Sequence, residues 1–202
     1  MDRARYGFII LLSSAFFYAS YGIFSKIIGD SFEPFTQAWT RSVITLLLFF
    51  AYGLYRKQFT KVLKEDIKWF LIIGIVGSLA LAPTFYSLSH LNLGTALFLQ
   101  YAATIITSYL IGPIFLKEKL TKISYGALGL AFIGLLMVYW GDIRLDYLNQ
   151  VLPVIASIVA GSFFSVWFVF SKKISHKYAT VQLNTYGYVF AVTVNILIAS
   201  LL

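Results

Sequence analysis

The 202-residue chain contains no cysteine, which excludes disulfides and thiolate-held metals. Its two histidines, His90 and His176, stand far apart with no ligand spacing around them, so no metal or other cofactor is expected. Charge is scarce as well. Asp, Glu, Lys and Arg make up 12% of the residues, against about 25% in a soluble domain, too little polar surface to clothe a water-soluble globule. The acidic residues, Asp2, Asp30, Glu33, Glu65, Asp66, Glu118, Asp142 and Asp146, all fall at the ends of apolar runs or between them. None is left to carry a proton at mid-membrane depth. A GxxxxGK[ST] phosphate loop is also missing, which excludes ATP-driven transport on this chain.

Apolar length is what the chain has in plenty. Hydrophobic residues reach 59% and mean hydropathy is +0.81. Aromatic residues reach 18%, and many Tyr and Trp sit near the ends of apolar runs, where an amphipathic ring prefers the headgroup layer. A helix needs about 20 residues to cross roughly 30 Å of hydrocarbon. Seven runs meet this requirement, approximately 6–28, 35–55, 67–89, 93–116, 123–140, 148–171 and 179–202. Backbone groups in lipid must be satisfied within each segment, so the runs are expected to be helices. The expected fold is an all-α integral membrane protein, a polytopic bundle with seven transmembrane helices. The opening MDRAR and the apolar run after it look at first like a signal peptide, but the run passes twenty residues without an A-x-A-type site and reads as an uncleaved first span.

The net charge of +8 does not point to nucleic acid, because the basic residues occupy short gaps between apolar runs and form no basic domain. Thirteen of them, from Arg3 and Arg5 through Lys177, fall on one side of the alternating spans; Lys26 and Arg144 fall on the other, and Arg41 lies inside a span. The positive-inside rule then places the amino terminus in the cytoplasm of a cell membrane. That orientation argues against a seven-helix receptor of the G-protein-coupled kind. A retinal pump is excluded by the lack of a lysine in the last span.

An internal repeat emerges when the chain is shifted by 146 positions. Ile9, Phe17, Phe24, Ser25, Lys26 and Ile28 then meet Ile155, Phe163, Phe170, Ser171, Lys172 and Ile174, so FSK recurs at the ends of spans one and six. Five spans separate the copies, so the second enters from the opposite face, as in the inverted repeats of secondary transporters. The expected division is 1–144, a first repeat of five spans, and 145–202, the first two spans of an incomplete second repeat. The chain ends inside an apolar run, which leads to the expectation that three further spans belong to the complete protein; a complete seven-span protein is the alternative.

Several segments together resemble the EamA-type permeases of the drug/metabolite transporter superfamily. These are FYASYGIFSK in span one, Arg41 within QAWTRSVITLLLF, YSLSHLNLGTALFLQYAATIITSYLIGPIFLKEKLT over spans three and four, and GALGLAFIGLLMVYWG in span five. They cover nearly all of residues 1–140. The most specific piece is a small-residue turn before span four with KEKLT after it, where Glu118 takes the family's acidic position. One departure concerns a proline that family members usually carry about where Thr104 stands; here Pro113 lies later, which displaces the expected kink. The resemblance implies ten helices around a central cavity and a substrate among amino acids, their derivatives or other small metabolites.

Polar residues at helical spacing mark faces that lipid would not accept. Ser14, Tyr18, Tyr21 and Ser25 follow i, i+4, i+7, i+11 in span one; Gln37 and Arg41 lie in span two, Gln100, Thr104 and Thr107 in span four, and Asn184, Tyr188 and Asn195 in span seven. The substrate-pathway candidates are Ser14, Tyr18, Tyr21, Ser25, Trp39, Arg41, Gln100, Thr104 and Trp167, with Lys26 and Glu118 as gating or structural residues. Two readings stay open for these groups. Ser and Thr also hydrogen-bond across helix interfaces, and Trp also anchors at the membrane surface. Arg41 either faces the cavity, where it favours carboxylate or phosphate, or snorkels to the outer headgroups beside Asp30 and Glu33. Small-xxx-small pairs such as Ser157 with Gly161 signal close helix packing, and Pro83 frees a carbonyl within span three. The function expected is transmembrane transport of a small solute by a secondary transporter or facilitator. The partners expected are that solute and the lipid bilayer, and a homodimer is compatible with the sequence. The alternatives are a non-transporting membrane subunit or receptor-like seven-helix protein, and an intramembrane enzyme, for which neither histidine lies deep enough.

Overall fold

The computed structural model describes residues 3–29, 34–117, 119–140 and 150–201. They form seven α-helices: α1 (Arg3–Gly29), α2 (Pro34–Tyr55), α3 (Ile67–His90), α4 (Leu93–Leu116), α5 (Lys122–Tyr139), α6 (Val151–Ile174) and α7 (Thr180–Leu201). No strand occurs among the described residues. Among the described residues, five helices, α2, α3, α4, α6 and α7, are long and apolar enough to cross a membrane. The chain is a multi-pass helical membrane protein.

Local chemistry explains the helix ends. Asn92 caps α4, its side-chain oxygen accepting from the Thr95 amide at 3.0 Å. Thr121 and Ser124 form a reciprocal capping box at the start of α5. Pro34 opens α2, a position where its missing N–H costs no helical bond. Lys117 ends α4 in a left-handed conformation.

The helices beyond residue 150 pack into those before it. α6 lies against both α3 and α4, while α7 lies against α2 and α3. α3 is therefore the most buried element, and α5 packs on α4 at the periphery. α1 and α5 turn large apolar side chains outward, Phe16 and Phe17 on one and Ile123 and Leu130 on the other, as a lipid-facing surface requires.

Lipid gives no hydrophobic driving force between helices, so the α4–α6 seam depends on close approach and hydrogen bonds. Gly161 makes the approach possible, since a Cβ there would overlap the Gln100 carbonyl. Hydroxyls then bridge the two backbones. Ser157 donates to the Ala96 carbonyl at 2.6 Å, Thr104 donates to the Gly161 carbonyl at 3.0 Å, and Ser108 pairs with Ser165 at 2.7 Å. Gly161→Ala is expected to destabilise the protein by about 1–3 kcal/mol through overpacking. Gly129→Ala, whose new methyl meets open space on α5, serves as the neutral control. Thermal unfolding in detergent, followed by size-exclusion chromatography, checks the difference.

Candidate transport pathway

Between α3, α6 and α7 lies a small cavity of about 50 Å³ whose lining includes Gly77, Phe164, Trp167, Asn184, Tyr188 and Ala191. Glycine on α3 makes room for it. A Cβ on Gly77 would stand 3.1 Å from the Trp167 ring, and one on Gly74 would overlap Phe190. The indole of Trp167 therefore lies directly over the α3 backbone. From α7 come Asn184, Tyr188 and Ala191, spaced i, i+4, i+7 on one face. The Asn184 amide nitrogen donates to the Thr180 carbonyl at 2.9 Å, and the Tyr188 ring stacks on Phe49 of α2 at 6.0 Å. Among the described residues, no charged side chain is in the lining. The arrangement offers aromatic surface with a few neutral hydrogen-bonding groups.

Trp167 is the sequence-predicted residue that lines this cavity. Gln100 and Thr104 lie on α4 along the α6 seam instead. Gln100 is 2% exposed, and its Oε1 has no hydrogen-bond partner among the described residues. Arg41 is half-buried on α2 with its guanidinium carbon 5.1 Å from the centre of the Phe85 ring on α3, a cation–π geometry. Trp39 is half-buried on the same helix, and Ser14 is exposed on α1. Tyr18, Tyr21, Ser25 and Lys26 also belong to α1, but their side chains lie outside the described set, as does Glu118 altogether.

A family model described as the EamA-like transporter family matches residues 5–140. The chain belongs to that family. Two relatives from different strains of Helicobacter pylori, both named uncharacterized transporter, are 26% identical to this EamA-like chain over 165 residues. The match covers 81% of the chain and 54% of each relative, so the chain spans about half the length of the curated relatives it matches. No solved structure matches it.

A second polar site in this EamA-like protein joins two loops at the basic end of the bundle, where no sequence motif pointed. Lys177, between α6 and α7, lies 3.1 Å from Asp66 and 3.3 Å from Glu65, both just before α3. Tyr178 donates to Asp66 at 2.9 Å and accepts from the Leu63 amide at 3.1 Å. Gln182, fully buried at 0% exposure, accepts from the Thr60 amide and hydroxyl and donates to the Thr60 carbonyl at 2.7 Å. Its bonds to Asp66 hold the Lys177 ammonium above its ordinary pKa, against the opposing effect of burial and with help from Glu65. These bonds clasp the loop after α2 to the start of α7. Nearby, the Lys173 ammonium sits 4.2 Å from the centre of the Trp69 ring. The residues were separately visible as polar positions, but Thr60 and Gln182 are 122 positions apart, and only the fold pairs them. Replacing Gln182 by Leu strips the Thr60 amide and carbonyl of their partners at about 1–3 kcal/mol. Hydrogen exchange at the Thr60 amide should accelerate roughly tenfold or more.

Proposed function

We propose that this protein carries a small solute, an amino acid, a drug-like molecule or another metabolite, as a secondary transporter or facilitator. The α3–α6–α7 cavity is the observation that carries the reading, because it collects Trp167, Asn184 and Tyr188 inside a bundle of apolar helices. Its walls suit a neutral or zwitterionic molecule with an apolar portion. At about 50 Å³ it holds little more than a few waters, so substrate entry requires the helices to part. The Asp66–Lys177 and Thr60–Gln182 clasp keeps the basic end closed, and releasing it is the simplest motion that opens a path from that side. We place that end in the cytoplasm, following the basic loops.

Within this reading the seven helices all cross the membrane, residues 1–144 form one repeat, and residues 145–202 belong to an inverted second one. Arg41 is assigned to orienting anionic solutes. Coupling to protons through a carboxylate in these helices is not part of the proposal, since the acidic residues lie at their ends.

Flux into liposomes reconstituted with the protein tests the proposal, using labelled amino acids and small metabolites. Saturable uptake is expected, falling about tenfold or more in Trp167→Ala and in Asn184→Leu. Arg41→Ala should lower uptake of carboxylate or phosphate solutes and spare neutral ones. Absence of flux for every solute, from protein that elutes as a folded species, contradicts transport. Equal flux in wild type and both cavity variants contradicts the assigned pathway.

A further inference from the structure

A groove of about 350 Å³ runs between α5 and α6 over α4, toward the basic end of the bundle. α5 packs chiefly on α4, while α6 is committed to α4 and α3, so α5 and α6 stand apart on either side of α4. Tyr109, Leu116, Leu120, Phe168, Val169 and Lys172 are among the lining residues. Gly112 keeps the floor of the groove low, since a Cβ there would meet no atom within 4 Å.

The groove is graded from charge to hydrocarbon. Lys172 is exposed near the end of α6, and the connection from α4 to α5 carries the exposed Lys117, Lys119 and Lys122. Leu120 of that connection is itself in the lining, which brings these lysines to the rim. Four lysines with Glu118 leave three positive charges, and any ion pair within the set leaves that surplus unchanged. Deeper in, roughly 12 Å along α4 from Leu116, the polar groups are neutral. Ser108 pairs with Ser165 of α6, and the Tyr109 hydroxyl donates to the Ser124 carbonyl of α5 at 2.9 Å. The wall beside them is apolar, with Phe168 52% exposed.

A surplus of positive charge at the mouth of an apolar trough complements a molecule with an anionic head and long hydrocarbon chains. We infer that this groove holds an anionic phospholipid of the leaflet at the basic end, its phosphate beside Lys172 and the rim lysines and an acyl chain along Phe168 and Val169. The lipid occupies the space between α5 and α6 and gives the KEKLT segment a task that the solute pathway leaves open. A zwitterionic lipid brings its own ammonium to the same positive rim and gains less there. A free phosphate leaves the apolar wall uncovered. The site is separate from the Trp167 cavity and does not depend on the transport proposal.

Native mass spectrometry of the 202-residue protein in a neutral detergent tests it, by titration with phosphatidylglycerol and with phosphatidylcholine of identical chains. Phosphatidylglycerol is expected to bind about tenfold tighter. Lys172→Gln should lower that preference about fivefold, whereas Lys61→Gln, which removes an exposed lysine of the loop after α2, should change it less than about twofold. Gly112→Leu keeps every charge but fills the groove, and should weaken phosphatidylglycerol binding at least as much as Lys172→Gln. Glycerophosphoglycerol, the same headgroup without chains, should not bind at concentrations that saturate with the lipid. Equal affinity for the two lipids overturns the inference. So does an equal loss in Lys172→Gln and Lys61→Gln, the response of a diffuse basic surface. Undiminished binding to a folded Gly112→Leu protein overturns it as well, and glycerophosphoglycerol binding as tightly as the lipid contradicts a lipid occupant.

Discussion

The close approach of α6 to α4 at Gly161 is the contact on which the remaining structure depends. With that backbone seated against the Gln100 carbonyl, one face of α6 is committed to α4 and another to α3. Trp167 is thereby delivered over Gly77, and the space between α3, α6 and α7 becomes a cavity. A bulkier residue at 161 would push α6 outward and disturb the hydroxyl bridges from Ser157, Thr104 and Ser108 together. Because each such bridge in a membrane contributes only about 0.6 kcal/mol on average, dispersion at close range carries most of the seam.

Polar groups follow a consistent division through the bundle. Many hydroxyls bond back to their own helices, as Thr84 does to the Ala80 carbonyl and Ser42 to the Ala38 carbonyl. Others bridge helices along the α4–α6 seam. Formal charge gathers at the basic end, where the Lys177 ammonium bridges the Asp66 and Glu65 carboxylates. Between α4 and α6 the bridging groups are neutral hydroxyls, so close approach there carries no charge to desolvate.

Much of the fold was legible from apolar length alone. The runs 67–89 and 93–116 correspond to α3 and α4, and the structure adds the Asn92 cap that starts the second of them. The helix α6 reaches Ile174, past the apolar edge at Ser171, since Lys172 and Lys173 extend it into the polar layer. Periodicity also marked the α7 stripe that the cavity uses. What periodicity identifies is a face, without the neighbour that meets it. Thr104 and Gln100 therefore admit both a pathway and a helix-interface reading, and the fold sets them along the α4–α6 seam, while the partners of Gln182 and Asp66 are separated from them by more than a hundred positions and no local pattern names them.

The proposed route of the solute runs through the Trp167 cavity. The chain's lack of cysteine permits a direct measurement, since an introduced thiol is the only one present. Single cysteines at Asn184 and Tyr188 should react with a water-soluble maleimide in the folded, reconstituted protein, while one at Val189, exposed on the same helix, should stay unreactive in lipid. A transported solute should protect positions 184 and 188. If these two cysteines react no faster than the one at 189, with or without solute, the cavity is not an aqueous route and the account of the pathway is contradicted.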